Sequence, residues 1–128
     1  MRKDFDKLPK ELQENGFDFH WDNEKVWLLD IPVEEIHIQE LDYLFDMPFW
    51  QDEGKTPRQI IIELDKYPNK KERILNADVK YPIDIMQNNK GKYLTLDGLH
   101  RLAKLSLEGK EKIKVRKIPR NMISLIEK

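Results

Sequence analysis

Apolar residues in the last third of the chain switch between two periods, and the switches mark the elements. Ile83 and Ile85 alternate across Tyr81-Pro82-Ile83-Asp84-Ile85-Met86, which predicts a strand with both isoleucines on one face. Asn88-Asn89-Lys90-Gly91 has hairpin-turn chemistry, and Lys92-Tyr93-Leu94-Thr95-Leu96 is the return strand. Asp97-Gly98 breaks it. Leu99, Leu102, Ala103 and Leu105 then recur at helical spacing, and Gly109 closes that helix. Ile113-Lys114-Val115-Arg116-Lys117-Ile118 returns to alternation and ends at Pro119. Residues 120–128 form a short closing segment.

Upstream the pattern is less regular. Lys25-Val26-Trp27-Leu28-Leu29-Asp30-Ile31 is apolar and reads as a strand that Pro32 ends. Val33-Glu34-Glu35-Ile36 follows as a short extended or turn segment. Leu41, Leu44 and Phe45 predict a short helix over residues 39–46, stopped at Met47-Pro48. Residues 51–55 read as a loop. Thr56 is a candidate N-cap with Pro57 at the first helical position, and Ile60, Ile61 and Leu64 form the apolar stripe. Tyr67-Pro68 ends that helix, and Asn69 is a candidate cap for the next. Leu8 to Leu12 could open a helix that Gly16 breaks. Residues 1–24 are either an arm laying Phe17, Phe19 and Trp21 onto the domain or a partly ordered tail. The expectation is one compact α+β domain over residues 25–128, with a mixed sheet and helices packed around it, preceded by an arm over residues 1–24.

Composition narrows the function classes. Lys plus Arg number 23 against 24 Asp plus Glu, a net charge of −1, and this near-balance argues against a dedicated nucleic-acid-binding surface. The absence of cysteine removes disulfides, thiolate catalysis and Cys-based zinc sites. The start of the chain leads into no apolar stretch of signal-peptide kind, so the expected setting is cytoplasmic.

The candidate chemistry lies in Asp97-Gly98-Leu99-His100-Arg101. A strand delivers the chain to a tight turn, and the next helix presents free N–H groups and its positive dipole end there, which suits an anion. A cation at a helix start is locally unfavourable, so His100 and Arg101 in that first turn imply an anionic partner. Gly98 allows close backbone approach. Asp97 either caps the helix or faces the ligand.

From Val26 to Pro119 the chain resembles the ParB/sulfiredoxin-like superfamily. The resemblance is carried by Tyr81-Pro82-Ile83 leading to Asp97-Gly98-Leu99-His100-Arg101-Leu102-Ala103-Lys104. It is nearest to small stand-alone members with an Asp-Gly-Leu-His-Arg-Leu pattern. The resemblance implies a nucleotide cofactor (ATP, ADP or CTP) held by its phosphates at Gly98, Leu99, His100 and Arg101, with magnesium. Sulfiredoxin chemistry needs a Cys where Leu99 stands, and is excluded. ParB-type partition proteins carry a DNA-binding domain after this one, which this short chain does not suggest. Free serine kinases of the superfamily carry an Asp-Gly-His-His-Arg turn and a Glu shortly after their first strand, a position on which Glu40 falls. Leu99 departs from that pattern. By this analogy Asp97 holds magnesium and Glu40 is the base of a phosphotransferase acting on a small hydroxylated metabolite.

Three readings follow: such a phosphotransferase, a non-catalytic nucleotide-responsive binding module, and a ParB-type nucleic-acid-associated protein. Glu40 is equally an acidic residue at an exposed helix start, favoured there by the dipole. Trp27 and Trp50 read as packing residues, unless one lies near residues 97–101, where it could stack on a base.

Overall fold

A computed structural model describes residues 5–50 and 54–128; Met1 to Asp4, and Gln51 to Glu53 of the expected 51–55 loop, lie outside the described residues. The N-terminal segment holds two short helices, α1 (Lys10–Asn15) and α2 (Asn23–Trp27). Phe17 and Phe19 between them are buried and cluster with Trp21 at ring separations of 5.3 to 5.7 Å. Phe17 and Phe19 belong to the main hydrophobic core, with Trp21 packed against it.

The strand expected over residues 25–31 is not there. Asp22 accepts a hydrogen bond from the Glu24 backbone N–H at 2.9 Å and starts α2 instead. Val26 alone of the apolar run is fully buried, while Leu28 is 85% exposed. The first strand is β1 (Val33–His37), the stretch read as a short extended or turn segment. The helix expected over residues 39–46 is two 3₁₀ turns, Ile38–Glu40 and Asp42–Asp46, which bury Ile38, Leu44 and Phe45.

α3 (Pro57–Ile62) starts as expected, with a capping box between Thr56 and Gln59. α4 (Pro68–Leu75) does not start at an Asn69 cap: Pro68 is its first residue and Asn69 lies inside it. The remaining elements match the periods closely: β2 (Ile83–Gln87), β3 (Tyr93–Asp97), α5 (Leu99–Leu107), β4 (Lys112–Lys117) and a closing turn, α6 (Ile123–Ile126).

The sheet order is β1-β4-β2-β3, with β1–β4 and β2–β3 antiparallel and β2–β4 parallel. The chain is thus an α+β domain with a mixed sheet. Register places Ile83, Ile85, Ile113 and Val115 on one face and Asp84, Met86, Leu94 and Arg116 on the other. Four of the five residues of β2 are buried, so both faces are covered at the sheet centre. Among the described residues no helix is long and apolar enough to cross a membrane.

Asp84 is a carboxylate in a central strand, and burying it alone would be costly. Arg116, its register partner on β4, donates to it at 2.6 Å. Arg116 also donates to the Leu29 and Val26 carbonyls at 2.8 and 2.9 Å. One guanidinium therefore neutralises the strand and ties the end of α2 to the sheet. The pair is 3% and 11% exposed, so removing one partner strands a buried charge. Asp84→Ala is expected to lower unfolding free energy by about 3 kcal/mol. The double change Asp84→Ala/Arg116→Met should recover much of that, both read by urea denaturation.

Candidate functional site at the start of α5

The site begins with an irregularity in the β2–β3 ladder. Asp84 faces Asp97 and Ile85 faces Thr95, leaving Leu96 as an extra residue. Such a bulge bends the strand and re-aims the next side chain. The Leu96 carbonyl accepts from the Trp21 indole at 2.8 Å. Two aspartates then stand opposite each other, an unfavourable cross-strand pair unless each is neutralised. Arg116 serves Asp84, and Arg101 serves Asp97 with Nη2 to Oδ2 at 2.8 Å.

Gly98 follows at φ 114°, in the left-handed region, and leads directly into α5. A Cβ there would sit 3.2 Å from the Ile83 side chain. The glycine thus serves the turn and the packing of the turn on β2. No side chain caps α5, so the N–H groups of its first turn meet the turn without a protein acceptor among the described residues.

Asp97 and Arg101 are brought together as partners. Arg101 donates through Nη1 to the Pro82 carbonyl at 2.5 Å and through Nη2 to Asp97. Asp97 Oδ2 also accepts from Trp27 Nε1 at 2.8 Å. Polar bonds therefore run from Pro82 through Arg101 and Asp97 to Trp27. Arg116 then closes the circuit from the Val26 carbonyl to Asp84. Residues of this circuit line a cavity of about 520 Å³, bounded by Trp27, Tyr81, Pro82, Asp84, Arg101 and Arg116.

His100 is placed differently from its expected role as a charged phosphate ligand. Its ring stacks on Trp50 at 5.0 Å and 20°. Burial, and then the nearby Arg73 and Lys70 cations, push its pKa down to about 4, against a smaller upward pull from Asp97. The imidazole is neutral at pH 7, and its buried Nε2 has no hydrogen-bond partner among the described residues. Leu99 is partly buried and packs against the core. Glu40 is exposed on the 3₁₀ turn after β1. β1 and β3 are opposite edges of the sheet, roughly 14 Å apart at the ordinary strand spacing, so topology does not by itself bring Glu40 to Asp97. Among the described residues no group of three or more His, Asp or Glu side chains is placed to hold a metal.

Sequence reasoning missed Arg116, Asp84 and Tyr81 as parts of this site. Arg116 sits at the polar position of an alternating strand, where a solvent-facing residue is the ordinary reading. The missed signal was Asp84, a lone carboxylate in an otherwise apolar strand, which calls for a cationic partner.

Unfolded, His100 titrates near its ordinary value of 6.5; folded, near 4. The unfolded chain therefore binds more protons between these values, and stability falls as pH drops from about 6.5 towards 4. His100→Phe keeps a ring on Trp50 and removes the titration. Its melting temperature should fall less steeply than that of the unaltered protein across that range; equal slopes would contradict the assignment.

No protein-family model matches the chain, and neither a curated protein nor a solved structure does.

Proposed function

We propose that this chain is a ParB/sulfiredoxin-like domain that binds a nucleotide by its phosphates at the start of α5. The observation that carries the reading is the first turn of α5, which no side chain among the described residues caps, beside a guanidinium held in place from two sides. Free helix N–H groups and the dipole favour an anion there, and Arg101 adds a charge whose orientation is already fixed. His100 contributes as a neutral ring behind the turn.

Magnesium accompanying the phosphates would take Asp97 as its protein ligand. Both bonds to Asp97 fall on Oδ2, which leaves Oδ1 for a cation, and a single carboxylate plus phosphates is an ordinary magnesium site. Bound there, the ion would neutralise charge on the phosphates.

The binding module is preferred to the phosphotransferase on one observation: Glu40, the base of the kinase analogy, is exposed and follows the sheet edge opposite Asp97. The near-balanced charge counts against the nucleic-acid reading.

A ligand that binds only the folded state raises the melting temperature. ATP, ADP, CTP and GTP, each with and without magnesium, should include at least one that does so. Arg101→Ala should then weaken that nucleotide by about 2 kcal/mol, roughly thirtyfold, with the fold checked by circular dichroism. No shift with any phosphate compound, in a folded protein, would contradict the proposal.

A further inference from the structure

The cavity beside the phosphate turn has a chemistry of its own. Its charged lining cancels: Arg101 is matched by Asp97, and Arg116 by Asp84. All three nitrogens of Arg116 donate to protein acceptors, as do both terminal nitrogens of Arg101. A second anion would find little unspent charge here.

What remains in the lining is aromatic: Trp27, and Tyr81 with Lys80 Nζ over its ring at 5.2 Å from the centroid. Trp27 and Tyr81 are each 56% exposed. An exposed tryptophan is normally mobile, but Trp27 is pinned by its indole bond to Asp97 and by Arg116 holding the Val26 carbonyl beside it. It is therefore a platform fixed before any ligand arrives, which reduces the entropy cost of binding. The volume of about 520 Å³ lies within the range of small-molecule sites.

We propose that this cavity binds a planar heteroaromatic ring, of the size of a nucleobase, stacked on Trp27 and Tyr81. The proposal extends the nucleotide reading by naming where the non-phosphate end of the ligand lies. Stacking on aromatic faces tolerates different bases, because each has a π face. Guanidinium groups with occupied in-plane donors add to such a surface.

Nucleosides and inorganic pyrophosphate separate the two claims. Adenosine, guanosine, cytidine and uridine carry the ring without phosphate; pyrophosphate carries the anion without a ring. Each is titrated at millimolar concentration, reading tryptophan emission and melting temperature. At least one nucleoside is expected to quench emission and raise the melting temperature. Tyr81→Ala, an exposed position, should weaken it about tenfold. Trp27→Leu should abolish the quench, with circular dichroism confirming the fold. Pyrophosphate binding with no response to any nucleoside overturns this inference and leaves the phosphate site standing. Nucleoside binding without pyrophosphate binding supports the ring cavity and contradicts the phosphate reading. Unchanged nucleoside affinity in folded Tyr81→Ala and Trp27→Leu overturns the inference as well.

Discussion

Asp97 Oδ2 accepts from the Trp27 indole and the Arg101 guanidinium at 2.8 Å each, so the N-terminal segment, β3 and α5 meet at one atom. The bulge at Leu96 sets this meeting by turning Asp97 towards Asp84. That geometry creates a like-charge pair, and two arginines from different elements resolve it. Hydrogen bonds between charged partners are worth about 1.5–3 kcal/mol each, more than neutral ones, and they fix direction as well as distance. Arg101 then holds the Pro82 carbonyl, and Arg116 holds the end of α2. The residues of this ring of bonds line the cavity.

What the sequence made legible is the part decided by near neighbours. The 88–91 turn, α5, β4 and the Thr56 cap depend on residues a few positions apart, and all four are present. β1 was less legible because its stability comes from elsewhere. Glu35 lies opposite Lys114 and Glu34 pairs with Lys117 at 3.5 Å, so charge across an edge replaces an apolar pattern along it. The 25–31 run misled for the opposite reason. Its apolar residues serve different surroundings: Val26 fills the core, Trp27 lines the cavity, and Leu28 faces outward.

The turn at residues 97–101 was legible as a place, and less so in its working parts. Gly98 answers to Ile83 and to its own φ, and the His100 pKa is lowered first by burial and then by the Arg73 and Lys70 cations, which come from a distant stretch of chain. Arg101 holds Asp97 and the Pro82 carbonyl, two partners that its residue type alone did not name. A phosphate there would meet a guanidinium already held in place and N–H groups that no side chain among the described residues caps, with Trp27 and Tyr81 lining the cavity beside them. Glu40, the base of the kinase analogy, follows the far sheet edge.

The most direct test is a two-dimensional nitrogen–proton NMR titration with ATP, ADP and CTP. A binding nucleotide is expected to move the amide signals of Leu99, His100 and Arg101 together with the Trp27 indole N–H, while those of β1 and Glu40 stay in place. Saturating nucleotide that leaves the α5 amides unmoved, or moves only signals elsewhere, would contradict it.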